Sequence, residues 1–216
     1  MGHRAESKPA TDEQLMTAFV NGSHEAFDEL VNRYASKITN FVYRQVSHFA
    51  TAEEIAQDTF LAVFRKKHTY KVDHRFSSWL YKIAVNMCRM HFRKMRSVPS
   101  TISIEGSREE GQVGLDRVLV DDGESPVETL SRRDTEKKLR EAILSLPAKQ
   151  RQVFTLSFYE GMSYEEIAGL VGCSPGTVAS RKHAAVKRLA MKLRKLSPEL
   201  PPIGTGFNGR ADVPEC

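Results

Sequence analysis

The chain of 216 residues carries 32 Lys and Arg against 27 Asp and Glu, a net charge of +5, and its 40% hydrophobic content suffices for one or two modest domains. Cys88, Cys173 and Cys216 show no CxxC or His/Cys ligand spacing, which argues against a structural zinc site and a secreted disulfide framework. No apolar run approaches the roughly 18 residues that cross a bilayer, and the start, MGHRAESKPATDEQL, lacks the apolar core of a signal peptide; the expectation is a cytoplasmic protein with free thiols, no membrane insertion, no metal and no cofactor.

Nearly every periodic segment reads as helix. The expected fold is all-α, with two small helical domains joined by a flexible acidic linker: a disordered leader at 1–10, a four-helix domain at 11–98, the linker at 99–130, a helix-turn-helix domain at 131–196 and a disordered tail at 197–216. Thr11 caps a short helix through Val20, and Asn21-Gly22-Ser23 breaks the chain and caps a longer one. Phe27, Leu30, Val31, Tyr34, Ile38, Phe41, Val42 and Val46 then follow at threes and fours, one apolar face over some seven turns. Thr51 and Glu54 have the spacing of a capping box for a third helix that carries Ile55, Phe60, Val63 and Phe64. The loop HTYKVDHRF leads to Ser77 or Ser78 as the cap of a fourth helix that closes before Pro99.

That fourth helix lies in a stretch with no acidic residue between Asp73 and Glu105. Lys82, Arg89, Arg93 and Arg96 fall on neighbouring faces opposite Leu80, Ile83, Ala84, Met87 and Met90, the pattern of a nucleic-acid surface beside an apolar one. Tyr70 and Phe76 read as exposed aromatics which, with Trp79, can stack on unpaired bases. For Phe76 and Trp79 inward packing is the competing reading, because a large aromatic at the start of an amphipathic helix usually joins the core. From Pro99 to Leu130 the character reverses, with eight acidic residues against Arg108 and Arg117, four glycines and no apolar period.

In the second domain Leu139, Ile143 and Leu146 share one helix, and Pro147 opens another that carries Val153, Phe154 and Leu156. Ser163 and Glu166 form a capping box flanked by Met162 and Ile167 as a hydrophobic staple, and this helix ends near Gly172. Ser174 and Pro175 then supply a cap and a first-turn proline for a last helix, with Cys173 and Val178 placed to staple it. Two capped helices across a tight turn specify a helix-turn-helix, whose second helix enters the major groove. Val178, Ala185, Leu189, Leu193 and Leu196 give that helix a buried stripe. Arg181, Lys182, Lys187, Arg188, Lys192, Arg194 and Lys195 fill other positions, with no acidic residue between Glu166 and Glu199; such one-signed charge suits phosphate contact better than an ordinary solvated face.

Four segments, EEIAQDTFLAVF at 53–64, FSSWLYKIAVN at 76–86, LSLPAKQRQVFTL at 144–156 and GMSYEEIAGLVGCSPGTVASR at 161–181, resemble in kind and order the bacterial RNA polymerase sigma factors of the extracytoplasmic-function (ECF) group. The resemblance covers 12–196. It implies an alternative sigma factor that binds core RNA polymerase through the largest-subunit clamp and the flap, reads duplex promoter DNA and the melted non-template strand, answers to an anti-sigma factor and performs no catalysis itself. It also implies residue roles. Glu54, Gln57, Asp58 and Phe60 stand where the family grips the clamp; Tyr70, Asp73, His74, Arg75, Phe76, Lys82, Asn86, Arg89 and Arg93 where it captures and opens the −10 element; and Thr177, Ser180, Arg181, Lys182, His183, Lys187 and Arg188 where it reads the −35 element. Met90, Ala179 and Ala184 depart from common family residues, so the base contacts are expected to differ. The alternative is a stand-alone helix-turn-helix regulator, which would need a ligand or phosphoacceptor domain that the all-helical first part does not resemble. A recombinase would need a nucleophile or a metal cage, and the scattered acids of the linker are a poor one.

Overall fold

The structure, a computed structural model, describes residues 9–97, 135 and 137–196. All regular structure among them is helical: α1 (Asp12–Val20), α2 (His24–Val46), α3 (Phe49–Lys66) with a short 3-10 turn (Lys67–Thr69), α4 (Phe76–Ser97), α5 (137–144), α6 (Ala148–Phe158), α7 (Tyr164–Val171) and α8 (Pro175–Leu196). The leader through residue 8, the acidic linker, the expected domain start near Ser131 and the tail with Cys216 lie outside the described residues.

In the first unit, Thr11 accepts the Gln14 N–H while Gln14 reaches back to the Thr11 N–H, and Ser23 accepts from Ala26, so α1 and α2 start at their caps. The apolar stripe of α2 goes inward as expected, with Leu30, Tyr34, Ile38, Phe41 and Val42 buried. Two expected helix starts move. The third helix begins a turn before Thr51: His48 is its cap, and its Nδ1 accepts the Thr51 N–H at 3.3 Å. The fourth begins at Phe76 rather than behind Ser77 or Ser78, because the Glu13 carboxylate of α1 accepts the Phe76 N–H at 3.1 Å. That acceptor comes from 63 residues away in the chain, so no local pattern announces it. The face of α3 is also smaller in side chain than its large apolar residues suggest: Ala52, Ile55, Ala56, Thr59, Ala62 and Val63 are buried, whereas Phe64 is 42% exposed.

The second unit follows its local signals closely. Ser163 and Glu166 close their capping box, Met162 and Ile167 are buried as a staple, and α7 ends at Gly172 in the left-handed region with φ +70, a conformation that favours glycine. Ser174 Oγ accepts the Thr177 N–H at 3.2 Å to start α8. Val178, Ala185 and Leu189 are buried and Leu193 partly so; a small cluster of Ala142, Ile143, Leu146, Phe154, Ala185 and Leu189 holds α5, α6 and α8 together.

The two units pack on each other, α2 against α6 and α4 against α7. One continuous apolar cluster runs from Phe41, Tyr81, Val85 and Cys88 of the first unit to Val153, Leu156, Met162, Ile167, Leu170, Val171 and Val178 of the second. This explains why α4 departs from the single apolar face expected of it. Leu80, Ile83 and Ala84 are buried as expected, but so are Tyr81, Val85 and Cys88, with Phe92 half-buried, a second stripe at fours and threes; Met90 falls between the stripes and is 60% exposed.

Candidate nucleic-acid interface

Glu54, Gln57 and Asp58 are exposed on one side of α3, separated by three and four residues, and Leu61, 51% exposed, lies on the same side a turn further on. Phe60 is half-buried against the core. An acidic strip with an uncovered leucine suits a basic partner that also has an apolar spot; Leu61 was legible as an apolar residue out of register with the buried alanines.

The loop before α4 is built differently from the expectation of exposed aromatics. Tyr70 is buried and Phe76 fully so, Trp79 is half-buried, and the three rings form one cluster: Tyr70 edge-on to Trp79 at 5.4 Å, and Phe76 against Tyr34 at 5.4 Å and against Trp79 at 6.3 Å. The Tyr70 hydroxyl donates to the His74 carbonyl at 2.6 Å, tying the loop across its own span, and burial pushes that phenol up to about 12. Tyr70 and Phe76 therefore support the loop from beneath, and of the three rings Trp79 alone keeps part of its surface exposed. What the loop does expose is Asp73, His74 and Arg75. Along α4, Lys82, Asn86, Arg89 and Arg93 all lie on the exposed side at helical spacings, as the sequence reading required.

Two of these cations already have partners in the second unit. Arg75 Nη1 is 3.1 Å from Glu166 Oε1, and Arg89 Nη2 donates to the Val171 carbonyl at 2.8 Å. Beneath them the Tyr81 hydroxyl donates to the Glu160 carboxylate. Burial raises the Glu160 carboxyl above its ordinary value, against the opposing pull of the Tyr81 bond and of Arg44 and Lys37, and burial together with Glu160 raises the Tyr81 phenol. Glu166 is held the other way: partial burial is outweighed by the Ser163 backbone bond and by Arg75, which keep the carboxyl below its usual value. Gln45 and Thr155, both buried, meet across the units at 3.4 Å, and Arg44 covers the Tyr159 ring at 3.8 Å. Gln45 sits on the apolar stripe of α2, the one sequence-level hint of a polar contact there; Glu160 and Tyr81 carried none.

On α8, Ser180, His183, Lys187 and Arg188 are exposed, while Thr177, Arg181 and Lys182 are half-buried. Arg181 Nη1 lies 3.5 Å from Cys173 Sγ in the turn, and Lys182 Nζ lies 5.2 Å from the centre of the Tyr164 ring on α7. Cys88 and Cys173 are free thiols, and burial pushes Cys88 up to about 12. Among the described residues no His, Cys, Asp and Glu group is arranged to hold a metal, and no helix is long and apolar enough to cross a membrane.

Two helical units, each ending in a long helix whose exposed side is basic and free of acid, define an all-α DNA-reading protein. Residues 30–98 match the family model described as Sigma-70 region 2, and residues 136–189 match Sigma-70, region 4. The chain is 34% identical to the RNA polymerase sigma-H factor of Pseudomonas aeruginosa over 86% of its length and 95% of the relative's, and 30% identical to the ECF RNA polymerase sigma factor SigW of Bacillus subtilis over 81% and 92%. Among solved structures, CnrH in complex with the cytosolic domain of CnrY shares the fold, with a TM-score of 0.61 and 21% identity over 85% of this chain and 97% of that one. The sigma factor RpoE in complex with the anti-sigma factor NepR from Bartonella quintana does so with a TM-score of 0.60 and 24% identity over 78% and 96%. The chain belongs to the ECF RNA polymerase sigma factors. It is an alternative sigma factor for promoter recognition and transcription initiation, a DNA-binding role. The match at 30–98 gives the first unit a role that a stand-alone helix-turn-helix regulator would leave unexplained.

Proposed function

We propose that the chain works in the cytoplasm as a promoter-specificity subunit of core RNA polymerase, performing no chemistry itself. On this reading α3 binds the polymerase clamp through Glu54, Gln57, Asp58 and Phe60. Asp73, His74, Arg75 and the α4 residues Lys82, Asn86, Arg89 and Arg93 engage the −10 element, and α8 reads the −35 element. The observation that carries it is the pairing of two acid-free basic helices, α4 and α8, one in each matched region. Phosphate neutralisation rewards such one-signed surfaces. Tyr70 and Phe76, also expected at the −10 site, act on this reading from behind the loop, setting where its exposed residues stand. An anti-sigma factor is a further proposed partner, in keeping with the solved complex of RpoE with NepR. The direct test is in vitro transcription: purified chain added to core polymerase should produce initiation at a defined start site on a promoter template, and the absence of any start-site preference would defeat the reading.

The clamp assignment predicts that Asp58→Arg leaves the fold intact, since an exposed substitution away from structural contacts usually changes stability by less than about 0.5 kcal/mol, while reducing co-purification with core polymerase. Undiminished co-purification would remove Asp58 from the interface.

On α8, Arg181→Ala is expected to weaken promoter binding by about 1–3 kcal/mol and to relax selection at one position of the −35 element if the guanidinium swings from the Cys173 thiol to a base edge. A uniform loss over all sequences, with a shallower salt dependence, would make it a phosphate contact instead.

A further inference from the structure

The loop that exposes Asp73, His74 and Arg75 is tied at both ends to one short helix. Before the loop, the Lys67 ammonium donates to the Phe19 carbonyl at 3.3 Å and lies 4.6 Å from the centre of the Phe19 ring, in the last turn of α1. After it, the Phe76 N–H donates to Glu13 Oε1 in the first turn of the same helix. The chain from Lys67 to Phe76 could stretch to about 30 Å. Its ends are instead held to residues about 9 Å apart along one helix axis. Helix α1 is itself fixed: Asp12 takes Arg33 Nη1 at 2.9 Å and the Tyr34 hydroxyl from α2, and Met16 and Phe19 are fully buried. The Glu13 bond is not needed to make α4 a helix, because Ser77 and Ser78 stand in its first turn and can cap a helix that starts one or two residues later. What the carboxylate decides is where α4 starts. A later start would hand one or two residues to the loop and move Asp73, His74 and Arg75 from the place that α1 gives them.

We propose that α1 is the strut of the promoter-reading loop, and that Glu13 and Lys67 are positioning residues that set where Asp73, His74 and Arg75 meet the −10 element without touching DNA themselves. The proposal rests on the assignment of that loop to the −10 element given above. Both ties face away from a DNA role of their own. The Glu13 carboxylate has the same sign of charge as the phosphates, and its Oε1 is engaged by the Phe76 N–H. The Lys67 ammonium is turned to a carbonyl and a ring of α1. A loop that reads unpaired bases gains from such a strut, because a loop already ordered has less conformational entropy to lose when it binds. Loosening either tie should therefore weaken base reading and leave polymerase binding, assigned to α3, as it was.

The test uses the full chain with core polymerase. Glu13→Ala removes the acceptor, Glu13→Gln keeps an acceptor oxygen, and Lys67→Met keeps an unbranched chain over the Phe19 ring while removing the donor. Initiation in vitro is measured on a promoter the chain uses and on templates in which each −10 base is replaced in turn. Core binding is followed by co-purification and folding by circular dichroism. A base contact discriminates by roughly fivefold or more. Glu13→Ala should lower the preference at the position the loop reads by about that factor, Lys67→Met should lower it in the same direction, and Glu13→Gln should recover most of it, with core binding unchanged. A residue that served stability alone would lower the amount of active protein and leave the ratio between templates where it was. Lys67→Met decides the matter if Glu13→Ala does not fold. An unchanged preference in the folded variants would overturn the strut, as would an equal loss on every template. Replacing Asp73, His74 and Arg75 together by alanine separates the two ideas. If that variant loses the preference while the α1 variants keep it, the strut falls and the promoter reading stands; if it keeps the preference itself, the loop is not the reader and both fall.

Discussion

Phe76→Ala is expected to destabilise the folded chain by about 3–5 kcal/mol, the usual cost of truncating a buried phenylalanine. The ring has no exposed surface, meets Tyr34 edge-on at 5.4 Å and Tyr70 at 6.3 Å, and begins the helix that carries the proposed −10 residues. Total stability of a domain is of order 5–15 kcal/mol, so this single change would consume much of it. Chemical denaturation followed by circular dichroism reads the effect. The competing picture, in which Phe76 stacks on an unpaired base, requires near-normal stability with impaired promoter opening. A measured loss below about 1 kcal/mol would favour that picture and contradict the packing described here. Tyr70 belongs to the same cluster, so its contribution to the loop is made through the His74 carbonyl and its ring neighbours rather than through an exposed face.

The contrast between Phe76 and Ser163 shows what was legible in the chain and what was not. Capping, staples and apolar period are local: Thr11, Ser23, Ser163, Ser174 and Gly172 sit where their neighbours require, and the all-helical class and the helix-turn-helix followed from them. The cap of α4 was hidden because Glu13 supplies it from another helix, and the start of α3 because histidine is not among the preferred caps that mark a helix start. The basic positions of α4 and α8 were legible as charge, and they are exposed or half-buried as charge requires. Their partners were not. Arg75 and Arg89 are met by Glu166 and by a backbone carbonyl, 91 and 82 residues further along the chain, and a carbonyl has no sequence signature at all. The second apolar stripe of α4, Tyr81, Val85, Cys88 and Phe92, was nonetheless present in the sequence. Counted as a stripe in its own right, it announces a helix that packs on two sides, and therefore a second body lying against the first.

That second body makes Ile167→Ala the most informative change in the helix-turn-helix. Ile167 is fully buried, staples the start of α7 together with Met162, and belongs to the cluster that continues into α4 rather than to the smaller one under α8. Truncating a buried isoleucine to alanine costs about 2–5 kcal/mol. For a folded body of this size each kcal/mol lowers the midpoint of thermal unfolding by roughly 2–4 °C, so a fall of about 4–20 °C is expected. Where the loss appears matters more than its size. The chain has a single tryptophan, Trp79, placed in the first unit one residue from Ser78, which bonds to Glu166. If the two units unfold as one cooperative body, Trp79 fluorescence and helical circular dichroism should give coincident transitions in the unsubstituted chain, and Ile167→Ala should move both together. A Trp79 transition that stays in place while part of the helical signal melts earlier would show that the shared apolar cluster couples the units only weakly. The first unit would then keep its fold without the second lying on it, and the shared cluster would contribute far less to joining the units than its burial implies.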